Sequence, residues 1–512
     1  MRIKRILGMF IIFAMILSVA ACGSSGEANK TSEKTVSDSL TIAVTADPTS
    51  LDPHVGKEIV AVILTNNIFA TLLKLTSEGE VAPYVAESWK EIDSKTYEFK
   101  IREDIKFHDG SKLTAEDVKF SLDRAIESSY VSFIVNYIDS VDLIDEYNIR
   151  INLNSPYSGA LINLTVPFAA IVPKAVVESN PNGFLEHPIG CGPYEFVEWS
   201  QGNQMKMKAF KDYFEEPAKT ENVTFRIIPE ASQRTIALEN GEVDLVYDLA
   251  FNDISIIKEN ENLKLFESPS LNAWYVSMNV EDETLSNKLV RQALRYAVDP
   301  QAIIDSVLYG AGTVANSVIP PAAINYYKDA KYYTQDIEKA KQLLAEAGYP
   351  NGLELSLAVA EDVNRVAVCQ VLQEQLKQIG VNVKIDIHDA STYYEHANKS
   401  EFQLAFYFWI CSAGHADYSY SSLLHSSQKG AGGNRSFFDN PEVDKLIEEA
   451  RQTMDREEIE KCYQQIEEIV YDESPNINLC YTNLIVAARN NVEGFIMHPA
   501  GYHNLETVIV NK

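Results

Sequence analysis

The sequence predicts an α/β protein built from two or more lobes, and three observations predict it. Strand-like and helix-like patterns alternate along most of the chain, as they do in α/β architectures. Residues 353–387 read as a complete β-α-β unit, which requires parallel strand pairing. The length, 512 residues, exceeds what one hydrophobic core sustains.

The elements follow in chain order. Arg2, Lys4 and Arg5 precede an apolar run from Ile6 to Ala21, the charged and apolar regions of a secretory signal. The run is too short and too one-sided for a permanent membrane helix. It ends Val19-Ala20-Ala21-Cys22, which resembles a bacterial lipobox. Residues 1–21 are therefore expected to be removed and Cys22 to be acylated with diacylglycerol and palmitate, leaving a lipoprotein. Residues Gly23 to Ser39 contain Gly, Ser, Thr, Lys and Glu with almost nothing apolar, so that 22–39 reads as a flexible tether. Coil statistics give such a tether an rms reach of about 20–25 Å. No second apolar stretch can span a bilayer, so the rest is expected outside the cytoplasm, lipid-anchored at the cell membrane.

In the body, Leu40 to Val44 reads as an apolar strand stopped by Asp47-Pro48, and Thr96 to Ile101 alternates with period two. Thr114-Ala-Glu-Asp117 reads as a helix start, with Val118, Leu122, Ala125 and Ile126 lining one face behind it. Leu353 to Val359 alternates as a strand. The next helix carries Val368, Val371, Leu372, Leu376 and Ile379 on one face and stops at Gly380. Val381, Val383, Ile385 and Ile387 then alternate as a second strand. Asn440-Pro441 opens a helix carrying Leu446, Ile447 and Ala450. The following helix carries Ile459, Tyr463, Ile466 and Val470 and ends at Pro475; its acidic pair Glu467-Glu468 reads as a solvated face.

Composition narrows the partners. A formal charge of −29 repels nucleic acid and anionic headgroups. With Cys22 lipidated, an odd five cysteines remain and no CxxC pair exists, so no disulfide framework is expected. Twenty-six tyrosines and four tryptophans suit a packed core and also a concave site for varied ligands.

Several ordered blocks carry a resemblance. Residues 85–126 include the run FHDGSKLTAEDVKFSLDRAI, residues 188–199 read PIGCGPYEFVEW, and residues 234–244 read RTIALENGEVD. Residues 290–304 read VRQALRYAVDPQAII, and 437–475 begin FFDNPEVDKLIEEAR. Together they resemble the peptide/nickel family (family 5) of ABC-importer substrate-binding proteins, similar to its dipeptide- and oligopeptide-binding members. The resemblance implies a two-lobed fold of the periplasmic-binding-protein type II kind, with an extra subdomain in the N-terminal lobe. The lobes are expected at about 38–272 plus 487–512 and at about 273–486, with the subdomain near 85–185. The resemblance further implies a monomer without cofactor that meets a peptide ligand and the importer's permease and ATPase. One departure stands out: the family's Thr between the glycines is Cys191 here, read as a packed small hydrophobe.

Candidate contacts cluster at 402–425, FQLAFYFWICSAGHADYSYSSLLH. A continuously apolar strand breaks there into small and polar residues, and in α/β folds ligands lie at such strand ends. The resemblance makes Asp417 the partner of a ligand's α-ammonium; the plain alternative is a loop carboxylate capping local backbone. It likewise assigns ligand backbone pairing to Ala413, Gly414 and His415. Trp409, Tyr418 and Tyr420 are candidate pocket walls or core, and Arg365 is a candidate for the ligand carboxylate or a surface arginine.

His415 also raises a nickel-chelate or haem ligand, but the nine histidines show no H-x-H or H-x-x-x-H spacing, and no metal site is assigned. No G-x-x-x-x-G-K-[ST], G-x-S-x-G or H-E-x-x-H occurs, so the chain is not expected to be the ATPase or an enzyme of those types. An extracytoplasmic lipoprotein hydrolase and a peptide-sensing receptor remain as readings of other classes.

Overall fold

The computed structural model describes residues 36–56, 58–76 and 79–512, and the body treated below runs Ser37–Asn511. The signal segment, Cys22 and most of the 22–39 tether lie outside the described residues. Among the described residues no helix is long and apolar enough to cross a membrane.

The architecture is α/β. An eleven-stranded mixed sheet forms the spine. In one half, Ser39–Val44 pairs in parallel with Asn222–Ile227 and with Leu245–Val246, and Gln204–Ala209 and Tyr194–Ser200 extend the edge antiparallel. In the other half, Leu353–Ala360 pairs in parallel with both Val381–His388 and Leu404–Ile410. The helix Val363–Lys377 makes the crossover between the first two of these strands. This is the β-α-β unit read from periodicity, and Gly380 closes it at φ +81°, where a side chain would be strained. The apolar strands are buried because helices cover the sheet, which is why they read as near-continuous hydrophobic runs.

Two long antiparallel strands, Leu263–Met278 and Asn476–Arg489, run through both halves. Leu263 to Pro269 pairs with Arg489 to Asn483, and Ala273 to Ser277 pairs with Tyr481 to Asn476. Between Pro269 and Ala273 the register shifts and the ladder is interrupted. Ser270 Oγ donates to the Thr482 carbonyl across that gap at 2.6 Å, and Leu271 N donates instead to Pro499 O at 3.0 Å.

A second, four-stranded antiparallel sheet stands apart, in the order Ala86–Asp93, Thr96–Ile101, Asn148–Leu153, Ile138–Asp145. Tyr97, Phe99 and Ile101 turn inward from it, as the period-two reading requires. The helix Ala115–Glu127 covers that face with Val118, Leu122 and Ala125. Thr114 and Asp117 form a capping box at its start, so two otherwise orphaned N–H groups are satisfied locally.

The helix Arg456–Glu473 corrects one expectation. Glu468 is exposed, but Glu467 is buried: its carboxylate accepts from Tyr420 Oη at 2.8 Å and from the Ser317 hydroxyl. Burial raises the Glu467 carboxyl pKa, and the two hydroxyls partly offset it.

Cys191 is fully buried, and burial pushes its thiol up to about 12, so it is a packed small side chain. Its flanking glycines are required by close approach. A Cβ on Gly190 would meet the Ile68 carbonyl oxygen at 2.1 Å. Gly190→Ala is therefore expected to cost about 1–3 kcal/mol, seen as a lower urea midpoint at unchanged m-value. A midpoint equal to that of the parent chain would show that the segment yields freely.

Candidate functional site

The strand Leu404–Ile410 delivers the chain to the middle of the molecule, where Cys411 N donates to Leu271 O at 2.8 Å beside the interrupted ladder. The turn that follows depends on Gly414, at φ +73°. Gly414 O accepts from Ile324 N, and Ala416 N donates to Ile324 O, each at 2.8 Å. The helix Ala416–Leu424 then begins, with Asp417 in its first turn, where the dipole favours a negative charge.

A cavity of about 580 Å³ opens beside this turn. Ser412, Ala413, Gly414 and Ala322 to Ile324 form one wall. Leu75, Val166, Ile496 to Pro499, Tyr502 and Glu506 form the facing wall, and Leu271 sits between them at the strand crossing. One wall follows directly on the spine strand Leu404–Ile410, and the other is built from segments outside the spine, Leu75, Val166 and the C-terminal run.

Of the expected contacts, Ala413 and Gly414 line this cavity. His415 does not: it is 2% exposed, and its Nε2 lies 2.8 Å from Asn163 Oδ1, on the four-stranded subdomain's side. Burial, with Arg451 adding to it, pushes its pKa down to about 3, so the ring is neutral. The Nε2–H therefore donates to Asn163.

Asp417 is 4% exposed, and neither carboxylate oxygen has a hydrogen bond of good geometry. Arg451 Nε stands 3.6 Å from Oδ2. Burial pushes the carboxyl up to about 6, while the Arg451 charge and the nearby Tyr157 hydroxyl pull it down. Tyr157, Ser158 and Asn163 belong to the segment that also receives Arg451, whose carbonyl accepts from Ser158 N at 2.9 Å. Asp417 is thus a buried charge between Arg451 and Tyr157, outside the cavity lining, with unused acceptor capacity.

The aromatics separate by role. Trp409 Nε1 donates to Ser419 Oγ at 2.8 Å and its ring stacks on Tyr418, which in turn stacks on Phe133. Tyr420 is fully buried against Tyr463. Arg365 lies over the Phe408 ring at 4.4 Å and outside the cavity lining. Among the described residues no group of three or more His, Cys, Asp or Glu is gathered as a metal site.

Sequence reasoning missed Ile324 and the entire wall from Ile496 to Glu506. No periodicity marks that C-terminal segment; only the Pro499-Ala-Gly501 turn distinguishes it.

Comparison with known proteins agrees with this geometry. A model of bacterial extracellular solute-binding proteins, family 5, matches residues 80–431. The glutathione-binding protein GsiB of Escherichia coli O1:K1 is 31% identical over 474 residues, covering 90% of this chain and 92% of the relative. The oligopeptide-binding protein AppA of Bacillus subtilis, solved with a nonapeptide, is 30% identical with a TM-score of 0.79 over 94% of this chain and 100% of its own. NikZ of Campylobacter jejuni, solved with Ni(L-His), is 27% identical with a TM-score of 0.78 over 90% of this chain and 96% of its own. The fold is thus the two-lobed type II periplasmic-binding-protein fold. With the family pattern matched over residues 80–431, this chain belongs to family 5 of the bacterial extracellular solute-binding proteins.

Proposed function

We propose that this protein is the lipid-anchored substrate-binding subunit of an ABC importer, capturing di- or oligopeptides without altering them and passing them to the permease. One observation carries the reading: the cavity of about 580 Å³ is walled on one side by the turn after the strand Leu404–Ile410 and on the other by Val166 and the run from Ile496 to Glu506. Its size falls within the roughly 300–1,000 Å³ of small-ligand sites. A ligand in that position touches both lobes and so binds the closed form better than the open one, and this difference shifts the population toward closure. The break in the ladder between Pro269 and Ala273 is the proposed hinge, because missing ladder bonds let the two strands bend there. Lobe boundaries near 272 and 487 are consistent with that position.

Ala413 and Gly414 offer main-chain groups to the cavity, and backbone recognition tolerates many side chains. Asp417 is the proposed partner of the peptide's α-ammonium, since a charge-assisted bond would satisfy a carboxylate that is buried and under-bonded. The named relatives support the substrate class: one takes glutathione and one was solved with a nonapeptide. The anchor on Cys22 would hold the monomeric protein at the outer membrane face beside its permease, with ATP hydrolysed on another subunit.

Native mass spectrometry of the detergent-solubilised chain tests this. Peptides released intact on unfolding are the expected result. A bound nickel chelate or haem would move the substrate class, and conversion of an added peptide to products would make the protein a hydrolase.

A further inference from the structure

This inference rests on the peptide reading and deepens it. The large cavity is lined by mainly apolar residues, and its described lining includes no Lys or Arg. Its ionisable members are Glu506, His498 and Tyr502. Burial pushes His498 down to about 4, leaving a neutral ring at pH 7. Glu506 is therefore the one side chain of this lining that brings a full charge.

A side chamber of about 110 Å³ shares Leu75, His498, Tyr502, Asn504 and Glu506 with the cavity and adds Lys74, Tyr84 and Glu215. Lys74 offsets Glu506 only in part. Its Nζ is bonded to Glu215 Oε1 at 2.5 Å and lies 5.0 Å from the centre of the Tyr84 ring. Among the described residues Glu506 makes no ion pair. The residue is half-buried, and burial raises its pKa, with Glu215 adding to the effect and Lys74 opposing it. Two carboxylates, Glu506 and Glu215, thus stand against the one ammonium of Lys74 in this chamber.

We propose that Glu506 is a specificity-determining residue that receives a cationic side chain of the ligand in the side chamber. The preferred ligands are then peptides carrying Lys or Arg, and peptides with an acidic side chain are rejected. A ligand cation balances the second carboxylate, whereas a ligand carboxylate adds a third like charge to the chamber. The preference separates this chain from a relative that takes glutathione, a peptide with two carboxylates and one ammonium.

Isothermal titration of the full chain in detergent tests it with Ala₃, with the three tripeptides bearing one Lys, with their Glu counterparts, and with glutathione. The best Lys peptide is expected to bind at least tenfold tighter than its Glu counterpart, with glutathione weaker still. Glu506→Gln should reduce that ratio to below threefold, and Glu506→Asp, which keeps the charge, should retain most of it. A ratio near one in the parent chain, or a ratio unchanged by Glu506→Gln, overturns the inference while leaving peptide capture standing. If no tripeptide binds at all, the Glu506 inference falls, and the peptides released in the native mass spectrum decide the peptide reading separately.

Discussion

Asp417→Asn is expected to weaken binding of a free-amine peptide by about 10–100-fold, the loss of one charge-assisted hydrogen bond at a desolvated site. An N-acetylated version of the same peptide should bind the two proteins with nearly equal affinity, because it has no ammonium to lose. The pH dependence has a definite sign. The free carboxyl titrates near 6, and an ammonium ligand favours its ionised form. Affinity is therefore full above about pH 6 and falls as pH drops through that value. In the parent chain the Kd should be flat from pH 7 to 8 and rise below 6, and in Asp417→Asn that acid limb should vanish.

The same residue makes an opposite prediction for stability. Its folded pKa lies above that of an ordinary aspartate, so the ionised carboxylate opposes folding at pH 7 and this penalty fades as pH falls toward 4. Without ligand, Asp417→Asn should melt higher than the parent at pH 7.5, with the gap closing in acid. A variant that binds worse yet melts higher identifies a functional charge; if binding is unchanged, Asp417 leaves the site.

Arg124→Met is expected to destabilise the fold by about 3–5 kcal/mol, the cost of leaving a buried charge without its partner. Asp52 has a fully buried side chain, and Arg124 Nη1 donates to its Oδ1 at 2.8 Å, with a second contact from Nη2 to Oδ2. The same guanidinium donates to His54 Nδ1 at 2.9 Å, so His54 Nε2 carries the proton that bonds Ala170 O at 3.0 Å. This network ties the chain after the first core strand to the subdomain helix Ala115–Glu127. Replacing both charges, Asp52→Asn with Arg124→Met, should recover part of the loss, because the orphaned carboxylate is gone. Denaturant melts of the two variants check this, and a single-variant loss below about 1 kcal/mol would mean that water reaches Asp52.

His54 gives the network an acid limit. Burial pushes its pKa down to about 4, so its neutral form stabilises the fold above the unfolded value of about 6.5. That contribution is lost as pH falls through the window from 6.5 to 4.

Much of the fold was legible because local rules act over a few residues. Thr96–Ile101 alternates and is a strand over those residues; Thr114 and Asp117 spell a capping box and form one. The crossover 353–388 follows from a change of period from 2 to 3.6 and back. Glu467 shows where such reading fails. It lies four residues after Tyr463 and three before Val470, on the apolar face by helical geometry, yet its charge invites a surface assignment. Its partners, Tyr420 and Ser317, are 47 and 150 residues away in the chain, so nothing nearby announced that the carboxylate would be satisfied inside.

The amino-acid sequence by itself determined the α/β class, the family and the strand end at Ile410 where candidate contacts cluster, because periodicity and ordered motifs are written in neighbouring residues. Only the tertiary structure decided which side chains face the cavity. It turned His415 toward Asn163, buried Tyr420, and brought Ala413 opposite Glu506. The cavity joins segments far apart in the chain, and the direction in which each side chain points there depends on packing that no local pattern encodes.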